Sequence, residues 1–243
     1  MNFVVIWGFF LGLSCTAIPL AFAIGLTPLL FFLGTGKYAP AVIFQSIVSI
    51  NESFTLLALP FFILAGEIMS AGGIGKRITQ FAFALVGWVP GGLALISVVA
   101  SMIFGGVSGS AAADAAAVGA VMIPSMIKKG YDRTYAAAVI ASAGTIGVII
   151  PPSIPMVLYA FVSGVSLGDL FMAGIIPGIL VGCALMVCAF VIAWRRGYPT
   201  EARLSTRELF RAFWECLPAL LAPVFILGAI FTGIVTPTEA AVI

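Results

Sequence analysis

Histidine is absent from this chain of 243 residues, and charged residues make up only 8% of it. The four cysteines, Cys15, Cys183, Cys188 and Cys216, form no C-x-x-C pair. Because histidine and closely spaced cysteine are common transition-metal ligands, we predict neither a transition metal nor a cofactor. The formal net charge of +2 is too small to indicate a nucleic-acid surface, so we predict no nucleic-acid partner.

Apolar residues dominate instead, since 62% of the chain is hydrophobic. That share exceeds the usual content of soluble domains, so a lipid bilayer is the expected surrounding. Long apolar runs occur at 3–33, 54–71, 74–89, 93–127, 134–162, 170–194 and 217–235. We therefore predict an all-α polytopic membrane protein with about six transmembrane helices, one re-entrant helical hairpin and an interfacial helix. The first run lacks a basic start, so we expect one retained helix rather than a cleaved signal.

The runs group into five predicted segments. Residues 1–90 form scaffold helices, with an interfacial helix over about 40–52, where polar and apolar residues mix at helical spacing. Residues 91–167 form part of a transport domain. A transmembrane helix (168–196), a cytoplasmic amphipathic linker (197–216) and a last transmembrane helix (within 217–243) follow. Residues 240–243 resemble the start of another helix, so we expect this to be the N-terminal part of a longer protein.

The run at 93–127 is too long for one ordinary span, and its middle reads Phe-Gly-Gly-Val-Ser-Gly-Ser at 104–110. Glycine and serine at this density disfavour a continuous helix, so the helix should break there. Two short helices joined at such a tip form a re-entrant hairpin, whose irregular backbone must be buried in protein. Two short full spans would preserve the same topology.

The distribution of basic residues favours this even number of crossings. With it, only Lys76 and Arg77 fall on one side of the membrane. The other side receives Lys37, Lys128, Lys129, Arg133, Arg195, Arg196, Arg203, Arg207 and Arg211. The positive-inside rule makes the richer side cytoplasmic and places the N-terminus outside.

The hairpin tip is the first candidate site. Ser110 is placed to cap the second arm, and the free N–H groups at that helix start suit a carboxylate. The first arm should end near 104–106 and leave carbonyl oxygens for a hard cation such as sodium. The predicted ion- and substrate-binding residues of the tip are Gly105, Gly106, Ser108, Gly109, Ser110 and Asp114.

Asp114 follows one turn after Ser110 in an alanine-rich helix. An ionised side chain at membrane depth costs about 2.5–3.5 kcal/mol or more, so its presence needs a reason. Two reasons stay open. Asp114 either stabilises the helix start through the N–H groups of the loop, or shapes a sodium site directly or through a neighbouring ligand.

The second candidate is the sequence Gly-Thr-Ile-Gly-Val-Ile-Ile-Pro-Pro-Ser-Ile-Pro at 144–155, within a predicted broken helix over about 134–162. Its two consecutive prolines remove backbone donors, so carbonyl groups around 147–150 need another donor or a cation. The alternative is a packed kink satisfied by neighbouring helices. The predicted binding residues here are Gly144, Thr145, Gly147, Pro151, Pro152 and Ser153.

Four segments resemble those of one family, the large (DctM-like) membrane subunit of tripartite ATP-independent periplasmic (TRAP) transporters. These segments are 59–67, 104–114, 147–155 and 236–241. The resemblance implies half of an inverted-repeat, elevator-type carrier in a bacterial or archaeal inner membrane. It implies sodium-driven import of small organic anions, such as C4-dicarboxylates or sialic acids.

The resemblance also implies partners. A periplasmic substrate-binding protein would deliver the carboxylate, and a small membrane subunit would complete the complex. The family's second, inverted half is not in this sequence, so either the chain is a fragment or another chain supplies that half.

Two other functions compete with a carrier. A passive channel can also be lined by re-entrant hairpins. An intramembrane hydrolase would use the G-x-S-G sequence at 106–109, but a serine nucleophile needs a base, and the run holds neither histidine nor any lysine before Lys128. We therefore predict that the chain is not an enzyme.

Overall fold

The fold is known from a computed structural model that describes residues 2–16, 18–36, 41–51, 54–201 and 204–242. The regular elements of these residues are all helices, as the sequence predicts. The chain divides into two compact units, Met1–Ser53 and Phe54–Ile243. The predicted functional division near residue 90 stays a prediction.

The first unit holds helices α1 (Asn2–Ser14), α2 (Leu20–Thr35) and α3 (Ala41–Asn51). The expected single helix over 3–33 is wrong, because Pro19 offers no backbone N–H and the chain restarts there as α2. Helix α3 lies within the predicted interfacial segment, whose end residues Pro40 and Glu52 are outside the described residues. Its place at a membrane surface stays a prediction.

The second unit holds the two predicted helix interruptions. Its elements are α4 (Phe54–Ala71), α5 (Ile74–Val86), α6 (Gly92–Ser108), α7 (Ala111–Lys128), α8 (Arg133–Gly144), a 3-10 turn (Thr145–Val148), α9 (Ile154–Ser163), α10 (Leu167–Arg195), α11 (Thr206–Phe231) and α12 (Pro237–Val242). The chain leaves helical geometry between α6 and α7 and again before α9, so both predicted runs are broken.

Helix α11 corrects the predicted linker over 197–216. It is continuous from Thr206, and the hydroxyl of Ser205 and the carboxylate of Glu208 form a capping box at its start. The amphipathic stretch is therefore the first part of a long helix rather than a separate connector. Residues 202–203 lie outside the described residues.

Three described helices, α7, α10 and α11, are long and apolar enough to cross a bilayer. Helices α4 and α5 qualify together as a fourth, bent by 69°. Helix α10 leaves large apolar side chains on its surface, including Ile176 at 68% exposed. These features agree with the predicted polytopic membrane protein, but the number of about six spans stays a prediction, because four other apolar helices are shorter.

The bend between α4 and α5 determines where Lys76 lies in the second unit. A Cβ atom added at Gly75 would lie 3.6 Å from both Ala117 Cβ and the Phe104 ring, so α5 begins beside the middle of α7. Lys76 consequently lines the same cavity as Lys128 and Lys129. The prediction that Lys76 lies on the opposite side of the membrane from Lys128 counted α4 and α5 as two full spans, and it stays a prediction.

The predicted position of the N-terminus, outside the cell membrane, was derived from the same number of spans and stays a prediction. Two of the basic residues behind it, Lys37 and Arg203, lie outside the described residues.

Helix α10 packs closely on the interrupted elements through three glycines. A Cβ atom at Gly182 would overlap the side chain of Met102 on α6. One at Gly178 would lie 2.6 Å from Ile150 Cγ1, beside the second break, and one at Gly174 would lie 2.5 Å from Met156 Cε on α9. Because a side chain at these positions would push the helices apart, the glycines allow α10 to hold both broken elements together.

Aromatic and polar contacts join the end of α7 to the end of α10. The rings of Tyr131 and Tyr198 stack with centroids 4.1 Å apart. Tyr135 donates a hydrogen bond to the Ala189 carbonyl at 2.9 Å, and Lys129 pairs with Glu201 at 3.0 Å. These contacts place the chain segments before α8 and after α10 side by side.

Gly91 offers a stability test of this packing. It has a left-handed backbone (φ +74°), and an added Cβ would overlap that of Ala193 on α10. Gly130 is also left-handed (φ +83°) but would meet no atom within 4 Å. We expect Gly130→Ala to cost the backbone strain of about 1–2 kcal/mol, and Gly91→Ala to cost clearly more. Thermal unfolding of the purified variants measures this; equal losses would contradict the contact with α10.

Candidate functional site at the two helix breaks

The tip between α6 and α7 is a short, capped reversal. Helix α6 continues to Ser108, so the prediction that it ends near 104–106 is wrong. Gly109 is its C-cap: the residue has a left-handed φ of +61°, and its N–H donates to the Gly105 carbonyl at 3.0 Å. Ser110 caps α7 as predicted, because its hydroxyl accepts from the Ala113 N–H at 3.4 Å.

Asp114 lies fully buried under this tip. Its Oδ1 accepts a hydrogen bond from the Ser108 hydroxyl, and the same hydroxyl oxygen accepts from the Ser110 N–H at 3.2 Å. The carboxylate therefore stabilises the tip through the Ser108 side chain. The first of the two explanations for Asp114 had it bind the N–H groups of the loop directly.

The other carboxylate oxygen, Asp114 Oδ2, is buried and has no hydrogen-bond partner among the described residues. It faces two glycines. A Cβ atom at Gly147 would overlap the carboxylate, and one at Gly105 would lie 3.1 Å from Oδ2 and 2.7 Å from the Gly147 α-carbon. Only glycine at both positions leaves space for this oxygen between the hairpin and the broken helix.

The second break touches the tip through its backbone. The Ile154 N–H, at the start of α9, donates to the Gly109 carbonyl at 3.1 Å. A Cβ atom on Gly109 would lie 2.7 Å from the Pro152 carbonyl oxygen, and one on Gly106 would lie 3.6 Å from that of Pro151. The Pro151–Pro152 peptide bond is cis. Hairpin and broken helix thus meet at their interruptions.

Ser153 completes the break. Its hydroxyl is buried and donates to the Val148 carbonyl at 2.8 Å, which satisfies one of the carbonyl groups expected to lose a helical partner. Helix α9 starts without a side-chain cap. Its first N–H, that of Ile154, is bonded to the Gly109 carbonyl instead.

All predicted site residues except Thr145 belong to this junction. Thr145 is exposed, and its hydroxyl donates to the Ser142 carbonyl of its own helix at 2.6 Å. Gly144 is buried against the start of α7, where an added Cβ would lie 3.0 Å from the Ala111 carbonyl oxygen. Thr145 is thus the one predicted residue that the structure does not bring to the junction.

Two residues of the junction were not predicted. A Cβ atom on Gly66 of α4 would lie 3.4 Å from the Ser108 α-carbon, and Pro223 of α11 approaches Gly106. Gly66 lies in the segment 59–67, which resembles the TRAP family, and this resemblance could have indicated that Gly66 belongs to the site. Nothing in the sequence near Pro223 pointed to the hairpin.

The arrangement suits a hard cation better than a hydrolytic reaction. The buried Oδ2 has no partner among the described residues, and a carboxylate oxygen is a ligand of the kind that hard cations such as sodium prefer. The hydrolase hypothesis did not include a carboxylate in contact with Ser108, which the structure shows. However, Ser108 is only 6% exposed and Asp114 is not exposed at all, so a substrate bond does not reach this pair.

The sequence is also similar to those of known proteins. Residues 7–243 match the family model described as the DctM component of the tripartite ATP-independent periplasmic transporter. The chain belongs to this family. The resemblance predicted from four segments is therefore confirmed over nearly the whole sequence.

Several curated relatives are similar over nearly all of the chain. The C4-dicarboxylate TRAP transporter large permease protein DctM of Vibrio cholerae is 43% identical, over 96% of this chain and 52% of the relative. The sialic acid permease SiaM of the same species is 42% identical, over 96% and 55%. The 2,3-diketo-L-gulonate permease YiaN of Escherichia coli is 41% identical, over 100% and 57%.

The chain thus spans about half the length of the curated relatives it matches. These relatives are named as transporter permeases, which supports membrane transport over enzymatic activity.

Gly147 tests the geometry of the junction without any transport measurement. Gly147→Ala inserts a methyl group into the Asp114 carboxylate, and overpacking of this kind costs about 1–3 kcal/mol. We expect faster hydrogen–deuterium exchange in peptides that cover 105–114. Gly106→Ala is the matched control, since its Cβ would make only ordinary contacts at 3.6–3.7 Å. Equal exchange in both variants would show that Gly147 does not face Asp114.

Proposed function

We propose that this chain is the N-terminal part of the permease subunit of a sodium-coupled secondary transporter that imports small organic anions. C4-dicarboxylates, sialic acids and related carboxylates form the substrate class, since relatives of 41–43% identity are named for such compounds. The observation that carries the sodium coupling is the buried, unpartnered Oδ2 of Asp114 at the meeting point of two interrupted helices.

A cation at this oxygen lowers the free-energy cost of burying the Asp114 carboxylate. A buried acceptor left without a partner costs about 1–3 kcal/mol, and an ionised carboxylate at membrane depth costs about 2.5–3.5 kcal/mol or more. A sodium ion at Oδ2 offsets both costs. The Gly147 backbone, at the second break, approaches the same oxygen.

The substrate carboxylate has a separate partner in the helix starts. Helices α7 and α9 both begin at the junction, and a helix start carries a partial positive charge that favours an anion. The start of α9 lacks a side-chain cap. We assign the sodium ion to the Asp114 side of the junction and the carboxylate to these helix starts.

Coupling follows from the shared junction. The hairpin tip and the second break are joined by the hydrogen bond from the Ile154 N–H to the Gly109 carbonyl and by the close approach of Gly147 to Asp114. Sodium at Oδ2 stabilises the arrangement in which both helix starts face the substrate. Binding of either ligand then raises the affinity for the other by the same factor.

The complete transporter contains further parts. A periplasmic binding protein delivers the substrate, and a small membrane subunit completes the complex. The second, inverted half comes from the rest of a longer chain or from another chain. The N-terminus faces the periplasm, and the complex moves its substrate by the elevator mechanism.

Uptake by the complete transporter in proteoliposomes tests this function. We expect uptake of a C4-dicarboxylate or sialic acid, presented with its binding protein, to saturate and to collapse when potassium replaces sodium. Asp114→Asn should raise the sodium concentration for half-maximal uptake by about ten-fold or more, because a charge in contact with the ion is lost. The exposed Asp169 of α10 supplies the control variant, Asp169→Asn. Unsaturable flux that does not depend on sodium would instead indicate a passive channel.

Two further variants separate transport from folding. Ser110→Ala removes the cap of α7, and Pro152→Ala changes the second break. Both should lower uptake more than they lower the amount of protein inserted in the membrane, which quantitative immunoblotting of washed membranes measures. Equal loss of uptake and insertion would mean that these residues have structural roles only.

A further inference from the structure

A second group of charged side chains lies away from the junction, around a largely apolar cavity. The cavity, of about 700 Å³, opens between α5, α7 and α11. Helix α7 contributes Val121, Ser125 and Lys128 to it, which lie on one face at helical spacing. Helix α5 contributes Lys76 and Gln80.

The charges that line this cavity do not cancel. Lys129 pairs with Glu201 at 3.0 Å, and Arg211 pairs with Glu215 at 2.8 Å. The Glu208 carboxylate accepts two hydrogen bonds from Ser205 at the start of α11. Two lining ammonium groups, those of Lys76 and Lys128, form no ion pair with any residue that the structure describes. The bonds from Ser205 leave the negative charge of Glu208 in place, so four cationic and three anionic side chains give the lining an excess of one positive charge, which favours anions.

These two lysines lie at different depths. Gly75 packs against Ala117, one turn beyond Asp114, so Lys76 lies near the depth of the junction. Lys128 lies in the last turn of α7, eleven residues after Ala117, which corresponds to about 16 Å along the helix axis. On α7 the lining begins at Val121, seven residues or about 10 Å beyond Asp114, and it ends at Lys128, next to the chain segment rich in basic residues.

We propose that this cavity is a water-filled part of the route that small organic anions take between the junction and the basic face, with Lys76 and Lys128 as successive cationic positions. A cleft with one sign of charge raises the local concentration of the opposite ion. A lysine within a membrane-spanning region is costly, and a route for an anion gives Lys76 a function. The identity of the anion rests on the proposed function, whereas the water-filled, anion-selective cavity does not.

Thiol labelling tests the cavity without transport. In the complete transporter with every native cysteine replaced, Gln80→Cys places a thiol on the cavity wall, one turn after Lys76. In lipid nanodiscs, the rates of reaction with a negatively and a positively charged methanethiosulfonate are measured and divided by the rates for a free small thiol. We expect both reagents to react and the negatively charged one to be favoured.

Matched variants identify the source of the preference. Lys76→Gln should slow the negatively charged reagent by about five-fold and speed the positively charged one by about five-fold, the effect of one unit charge at about 4 Å in water, so the ratio of the two rates should fall by about thirty-fold. Arg77→Gln is the control, because Arg77 is a neighbouring cation that does not line the cavity. Ile176→Cys, on the exposed face of α10, should react with neither reagent.

Three results would overturn the proposal. No reaction at Gln80→Cys would mean that lipid or protein fills the cavity. A ratio unchanged by Lys76→Gln, or changed equally by Arg77→Gln, would remove the role of Lys76. Labelling needs neither sodium nor substrate. If the labelling is as predicted but uptake by the complete transporter does not depend on sodium, the proposed function is refuted and the proposal for the cavity stands.

Discussion

The burial of Asp114 is the constraint on which the rest of the structure depends. One oxygen of its carboxylate is bonded to Ser108, and the other has no partner among the described residues. A charge at that depth is stable only when the surroundings are built for it. Two glycines give the carboxylate its space, a capped helix start holds it one turn below the tip, and α10 holds the hairpin against the broken helix.

This constraint explains why helix breaks and close packing occur together. Interrupted helices expose main-chain polar groups that lipid cannot satisfy, so the interruptions must face each other inside the protein. The hydrogen bond from Ile154 to Gly109 does this directly. The glycines of α10 supply close packing on the side of the second break, because larger residues would hold α10 too far away.

The sequence predicted the parts of this arrangement that follow from local backbone chemistry. Several glycines and serines together at the tip, and two consecutive prolines in the next run, disfavour a helix through local backbone chemistry alone, so both breaks and the Ser110 cap were predictable. The end of α6 was misplaced, because glycine disfavours a helix only weakly, and close packing at Gly105 outweighs that preference. The contact of Ser108 with Asp114 depends on the reversal at Gly109, which no helical spacing reveals. The bend between α4 and α5 was not predicted, because two glycines between apolar runs resemble a loop between two spans.

The central claim is that Asp114 Oδ2 binds a sodium ion between the two helix breaks. A high-resolution cryo-electron microscopy map of the complete transporter in sodium tests it most directly, beside a map in a sodium-free buffer. The account predicts density in contact with Oδ2, between the hairpin tip and Gly147, that is lost without sodium. Density that persists unchanged without sodium, or an Oδ2 bonded to a protein donor in both maps, would contradict it.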